Sequence, residues 1–152
     1  MNNKSQKSIE ISTIEHYKKI LKPWGWERWI AYGPKFAYVL KELYVKRGYR
    51  LSLQFHQFKQ ESTIVLKGKG LHYYSPKAIN PIKFINGRYS SKEIKKILRS
   101  IKKSVIKKGS VFHAHPCCIH RVEATQDLWM IESSTNHLDD IFRIQDDFGR
   151  QD

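Results

Sequence analysis

The chain has 152 residues, of which 40% are hydrophobic and 12% aromatic, and this length suits one domain with a hydrophobic core. The composition excludes extensive disorder, and no apolar run reaches the roughly 20 residues of a membrane span. The formal net charge of +14 favours anionic partners, but the sequence lacks zinc-finger spacing, a glycine-rich phosphate loop and an aromatic RNA-binding strand. We therefore expect a single domain that binds neither a membrane nor a nucleic acid.

Residues 1–21 form a polar tail and then a segment whose spaced apolar residues fit either a helix or a strand. The tail has early lysines but no apolar signal-peptide core, so we expect a cytoplasmic protein. We expect the remainder, residues 22–152, to form the single domain.

The only cysteines, Cys117 and Cys118, are adjacent. A disulfide between neighbouring residues is strained, so we predict free thiols. The pair is either half-buried apolar packing or, for one of the two, a group close to a metal site.

From Lys22 onwards the chain consists of short runs of aromatic and β-branched residues separated by glycines, a pattern typical of β-strands. Several short strands at such spacing predict an all-β fold, with two antiparallel sheets closed as a jelly roll. The predicted strands are 26–31, 36–45, two runs around 51–56 and 63–66, 70–74, 104–106, 109–112, 120–123 and 128–133.

One amphipathic helix, at about 90–104, interrupts the strands. Ser90 and Ser91 provide a cap, and Ile94, Ile97, Leu98 and Ile101 follow at helical spacing. Between residues 83 and 108 there are ten basic residues and one acid, Glu93. We expect a solvated, lysine-coated surface helix, with an acidic partner or an anionic surface as the alternative.

The segment from Gly48 to Gly68 carries a predicted metal site. Gln54 and His56 alternate with apolar residues, so they point to the same face of a strand. Glu61 follows a short turn and begins the next apolar run, which would bring its carboxylate back towards them. Imidazole, carboxylate and amide oxygen suit a divalent first-row metal.

This spacing resembles the first motif of the cupin superfamily, in which the first of two histidines stands at the position of Gln54. The second cupin motif resembles the segment from Gly109 to His120, and its final histidine ligand matches His120. Departures from it are His115 and Cys117, which replace the proline and glycine of the motif turn. Gln54 is either a fourth ligand or a hydrogen-bonding group beside the ion.

Three further stretches resemble one group of cupins, the type II phosphomannose isomerases. They are KPWGWE at 22–27, LSLQFHQFKQE at 51–61 and DDIFRIQDDFGR at 139–150. The resemblance implies a cupin jelly roll with the basic helix inserted between the motifs. It also implies a divalent metal, zinc first, with manganese, cobalt, nickel or iron as alternatives, and a homodimer.

The implied reaction is the interconversion of mannose 6-phosphate and fructose 6-phosphate through a metal-stabilised enediol. Arg143 and Lys59 are candidates for binding phosphate, unless they form surface ion pairs with Asp139, Asp140 or Asp146, and Glu132 is an additional acid/base candidate. The predicted site consists of His113, His115 and Arg143 as catalytic groups, Lys59, Ser52 and Arg121 as substrate-binding groups, and Gln54, His56, Glu61 and His120 as metal ligands.

Two other functions stay open. The altered motif turn, Phe58 in place of a family histidine and the lysine-coated helix favour a cupin that binds a sugar or another small ligand, or senses one for a partner, without turnover. A different cupin reaction, such as epimerisation of a nucleotide sugar or an oxygen-dependent step, is the third hypothesis.

Overall fold

The computed structural model describes residues 9–150, which form eleven strands, two α-helices and one turn of 3-10 helix at Ile14–His16. The first eight residues of the predicted tail lie outside this range. The strands are β1 (Lys19–Lys22), β2 (Gly25–Ala31), β3 (Tyr38–Val45), β4 (Leu53–Phe55), β5 (Glu61–Lys67), β6 (Lys69–Tyr74), β7 (Lys102–Lys107), β8 (Val111–Ala114), β9 (His120–Ala124), β10 (Leu128–Thr135) and β11 (Phe142–Gln145), and the helices are α1 (Pro81–Ile85) and α2 (Ser91–Ser100).

The strands form two antiparallel sheets, which confirms the predicted jelly roll. The larger sheet has the order β1-β2-β3-β10-β5-β8, and the smaller sheet has the order β11-β4-β9-β6-β7. Neighbours in space are mostly distant in sequence, so consecutive strands cross between the sheets, as expected when a sandwich closes. Residue alternation then sends one set of side chains into the space between the sheets.

Two hydrophobic clusters hold the sandwich together. The first fills one end of the space between the sheets and includes Val45, Leu128 and Met130, each at most 2% exposed. The second centres on Phe55 and Ile119 and packs against the two helices. A cavity of about 210 Å³ lies between the sheets beside the first cluster, and both polar and apolar side chains line it.

The turn after β5 requires its glycine. Gly68 has φ +92°, and a Cβ atom there would lie 1.9 Å from the carbonyl oxygen of Asp127. Only glycine combines a positive φ with such a close backbone approach. Gly68 is the last residue of the first sequence motif, and it lets the end of β5 pass close to the backbone just before β10.

The predicted helix ends earlier than expected. Ser90 caps α2 in a reciprocal capping box with Glu93, but the helix stops at Ser100, and residues 102–107 instead pair with β6 as the edge strand β7. The predicted domain boundary between residues 21 and 22 falls inside β1, which pairs along its length with β2. No helix in the described range is long and apolar enough to cross a membrane.

Candidate metal centre and its pocket

Three buried side chains converge between the sheets. One ligand atom from each of His56, Glu61 and His120 lies within 4.8 Å of the others. The two carboxylate oxygens of Glu61 lie 3.0 Å from Nε2 of His120 and 3.5 Å from Nε2 of His56. These three predicted ligands are therefore brought together by the fold.

Strand pairing explains the convergence. Gln54 on β4 lies directly opposite His120 on β9, and paired residues of an antiparallel sheet point to the same face. His56 follows β4 at the same alternation, and Glu61 begins β5 in the facing sheet. The short segment 56–61 therefore joins the two sheets at the site.

The donor set fits a divalent metal ion. Nδ1 of His120 lies 3.0 Å from the carbonyl oxygen of Cys118, and Nδ1 of His56 contacts that of Asp140. These carbonyls fix the Nδ1–H tautomer, so Nε2 of each ring carries a lone pair. Both Nε2 atoms are buried and have no hydrogen-bond partner among the described residues, which is the arrangement that a metal ion would complete.

Asp140 holds the segment that carries the ligands. Its carboxylate accepts hydrogen bonds from the backbone amides of Gln57, Phe58 and Lys59 at 2.8, 2.6 and 2.7 Å. Partial burial opposes ionisation, but these three donors outweigh it and lower the pKa of Asp140. Asp140 was not among the predicted site residues, and its place in the tail motif is the only signal of its role.

Lys59 and Glu132 extend the polar cluster towards the cavity. The ammonium group of Lys59 lies 2.5 Å from Glu61 and 3.2 Å from Glu132. Burial disfavours its charge, but the two carboxylates outweigh burial and raise the pKa of Lys59 above its usual range. Lys59 is therefore a cation fixed in the pocket, and its side chain does not form the surface ion pair considered for it.

Four other predicted residues line the same cavity: Ser52, Gln54, Arg121 and Arg143. Ser52 Oγ donates to Oε1 of Gln54 at 2.5 Å, which holds the amide in place. Arg121 is anchored to the backbone, with Nε donating to the carbonyl of Leu51 at 2.8 Å. Arg143 lies opposite Gln54 in the pairing of β11 with β4.

The structure does not bring His113 or His115 to the cluster. His113 lies on the outer face of β8, exposed, with Nδ1 2.8 Å from Ser62 Oγ. His115 is also exposed, and its Nδ1 lies 3.2 Å from Gln60 Nε2. Alternation decides this placement, because Phe112 and Ala114 occupy the inward positions of the strand.

A third buried imidazole lies beside the cluster and was not predicted. The rings of His72 and His120 are 6.4 Å apart, and His72 stacks on Phe112 at 4.2 Å. Burial, reinforced by the nearby His120, lowers the pKa of His72 to about 4, so it is neutral at neutral pH. The signal for it was its position on β6, in the alternation that also buries Gly70.

The turn before His120 keeps the left-handed backbone conformation that suits the glycine of the second cupin motif, although this chain has no glycine there. Cys117 stands at that motif position and adopts φ 63°, which side chains other than glycine rarely do. Its amide donates to the carbonyl of His56, so this turn and the ligand segment are directly connected. Both cysteines are free thiols, as predicted.

The fold is decided by two antiparallel sheets that face each other. Between them lies a His-Glu-His cluster whose members come from two separate sequence motifs. The fold is that of the cupins. Residues 10–79 match the family model described as mannose-6-phosphate isomerase C-terminal, which confirms the resemblance inferred from the motifs. This match contains His56 and Glu61 but ends before His120 and Arg143. A search of curated proteins finds no match.

Solved structures share this cupin fold at low sequence identity. An oxalate decarboxylase from Bacillus subtilis superposes with a TM-score of 0.65 at 8% identity, covering 99% of this chain and 37% of the other. The capsular polysaccharide assembling protein CapF from Staphylococcus aureus gives 0.62 at 14%, covering 86% and 34%. A Klebsiella pneumoniae protein with a double-stranded β-helix domain gives 0.62 at 9%, covering 91% and 100%.

The cupin domain described here thus spans about a third of the length of CapF and of the decarboxylase. At these identities the likeness concerns the fold.

Proposed function

We propose that this cupin is a metal-dependent isomerase of sugar phosphates, of the type that interconverts mannose 6-phosphate and fructose 6-phosphate. The observation that carries the proposal is the pair of buried, unpartnered imidazole nitrogens beside Glu61, at the wall of a cavity with a cationic lining. The match to the isomerase C-terminal family over residues 10–79 supports the same reaction class.

His56, Glu61 and His120 would hold the ion, with Gln54 as a fourth ligand or as a donor to substrate. A bound divalent ion would polarise the carbonyl and hydroxyl oxygens at C1 and C2. The chain must supply the proton transfer between these carbons. Glu132 is suited to it, because its carboxylate lines the cavity and one oxygen is only 3.2 Å from Lys59.

In this scheme the carboxylate of Glu132 takes the proton from C2 of the aldose and returns it to C1 of the enediol, while the hydroxyl proton on O2 passes to O1, giving the ketose. Lys59 stays protonated and donates a hydrogen bond to a substrate oxygen as negative charge develops there. Glu61 would serve as the anionic ligand, and the ammonium of Lys59 lies 2.5 Å from one of its oxygens.

The test is an assay of fructose 6-phosphate formation by the protein loaded with zinc, manganese, cobalt, nickel or iron. We expect turnover that EDTA removes and that His120→Ala abolishes, while His113→Ala, which changes an exposed histidine, retains it. Metal analysis of each variant shows whether the ion was bound. A fully loaded protein without turnover for any of these metals would overturn the proposal.

A cupin that binds its ligand without turnover is the second candidate. The ion pair of Lys59 with Glu61 favours it, because a fixed cation already occupies one oxygen of a metal ligand. This candidate predicts that a sugar phosphate raises the melting temperature without forming product. Detectable product would reject it. The homodimer stays a prediction, which sedimentation velocity can test.

A further inference from the structure

A row of pocket residues crosses the inner face of the larger sheet. Trp29 on β2 pairs with Lys41 on β3, Lys41 pairs with Glu132 on β10, and Glu132 pairs with Thr63 on β5. All four line the cavity. The row therefore runs from the neighbourhood of Glu61 to the opposite end of the pocket, where Trp29 lies.

The far end of this row carries an excess of positive charge. Glu27 is 7% exposed and, among residues 9–150, is the only carboxylate within ion-pair distance of Lys22, at 2.9 Å, and of Lys41, at 4.0 Å. Burial disfavours ionisation of Glu27, but Lys41 and Lys22 outweigh it and lower its pKa. One carboxylate is thus shared by two ammonium groups.

Lys41 is the less committed of the two lysines. Its ammonium lies over the indole ring of Trp29, 4.3 Å from the ring centroid, and makes no hydrogen bond to another described residue. Glu132, its neighbour across the strands, is already bound to Lys59. The three hydrogen-bond donors of Lys41 are therefore available to a ligand, while the indole fixes the position of the side chain.

We propose that Lys41, supported by Trp29 and Lys22, forms the subsite that binds the anionic group of the substrate, a phosphate or carboxylate. This inference rests on the proposed function for the position of the reacting carbons at the metal centre. Two strand spacings, or about 10 Å, separate β5 from β3. A ligand of the right class carries its anionic group at the end of the molecule opposite the carbonyl.

The geometry also distinguishes this subsite from the one predicted from sequence. Lys59, two of whose three donors face Glu61 and Glu132, lies beside the metal ligands rather than at a distance from them. Arg143 lies next to Gln54 on the smaller sheet, also at the metal end. A phosphate on C6, five carbons along the chain from the carbonyl at C1, is better reached by Lys41.

The test measures binding rather than turnover. Zinc-loaded wild type and Lys41→Met are titrated by calorimetry with mannose 6-phosphate, mannose and inorganic phosphate. We expect Lys41→Met to bind the sugar phosphate and inorganic phosphate about tenfold or more weakly, because a charge-assisted hydrogen bond is lost. Its affinity for mannose and its zinc content should not change.

Matched variants keep the result interpretable. Lys35→Met removes an exposed lysine outside this cavity and should bind like wild type, and Lys41→Arg should retain most of the affinity. Equal binding by Lys41→Met and wild type overturns the subsite. So does a wild type that shows no preference for mannose 6-phosphate over mannose.

The two proposals fail in different ways. If wild type binds mannose 6-phosphate through Lys41 but forms no product, the subsite stands and the isomerase function falls. If wild type forms product but Lys41→Met has an unchanged KM, the isomerase stands and the subsite falls. If Arg143→Met loses binding of mannose 6-phosphate and Lys41→Met does not, the anionic group binds at the metal end of the cavity and the inference is overturned.

Discussion

At the scale of single residues, Asp140 connects the tail of the chain to the metal centre. Its carboxylate satisfies three consecutive amides of segment 57–59, and its carbonyl orients the ring of His56. The same segment is also held by the amide of Cys117, which donates to the carbonyl of His56. A change at Asp140 should therefore affect both folding and metal binding.

We predict that Asp140→Asn lowers the free energy of unfolding by about 2 kcal/mol. The single side-chain oxygen of asparagine cannot accept all three backbone hydrogen bonds that the two carboxylate oxygens of Asp140 accept. Zinc affinity should fall about 10- to 100-fold, as for other groups that orient metal ligands. Urea denaturation and a zinc competition titration measure the two effects. Asp139→Asn, at the exposed neighbouring position, is the control, and equal losses in both variants would contradict the role of Asp140.

The stabilisation by Asp140 also depends on pH in a defined direction. Since the folded state lowers the pKa of this group, its contribution is fully present above the unfolded pKa of about 3.9. The contribution is lost as the pH falls through the folded pKa. The stability difference between wild type and Asp140→Asn should therefore be constant near neutral pH and shrink below about pH 4.

At the scale of elements, α2 presents a stripe of like charges. Lys92, Lys95, Lys96 and Arg99 lie at i, i+3, i+4 and i+7 and form one surface groove. None of them has an ion-pair partner among the described residues, because Glu93 is paired with Lys83 on α1. Like charges at these spacings destabilise a helix.

We predict that Lys95→Glu raises the free energy of unfolding by about 0.5 kcal/mol, because repulsion from Arg99 becomes attraction at i, i+4. Lys95→Gln, which only removes the repulsion, should lie between the variant and wild type. Urea denaturation at low and high salt measures both, and the gain should shrink as salt screens the charges. A loss of stability in Lys95→Glu would show that Lys95 has a structural contact.

Elements with a strong local pattern were predictable from the sequence. Strands such as β2, β6 and β10 follow runs of alternating or aromatic residues, and α2 follows a capped amphipathic pattern. The short α1 and β11 were not predicted, because four or five residues give too little periodicity.

Within the candidate site, the convergence of His56, Glu61 and His120 was predictable from motif spacing, whereas other contacts depend on strand register. The contact of Lys59 with Glu132 joins residues 73 positions apart, and the outward position of His113 depends on strand register, because a shift of one residue decides which face a side chain occupies.

At the scale of the whole molecule, the candidate ligands come from both sheets, so a bound ion should contribute to global stability. We predict that zinc raises the melting temperature of the metal-free protein, because only the folded chain gathers its ligands. An ion at 100 times its dissociation constant adds about 2.7 kcal/mol. Differential scanning calorimetry with and without EDTA measures this, and His120→Ala should lose the response. An equal response in that variant would locate the ion elsewhere.

The order in which the ribosome makes this domain gives the hydrogen bonds of Asp140 a further meaning. Two ligands emerge at residues 56 and 61, the third emerges about 60 residues later, and the carboxylate that shapes their segment emerges at 140. A partly synthesised chain therefore carries His56 and Glu61 without the groups that orient them. A metal ion would therefore meet the complete native ligand geometry only after almost the whole domain has been translated.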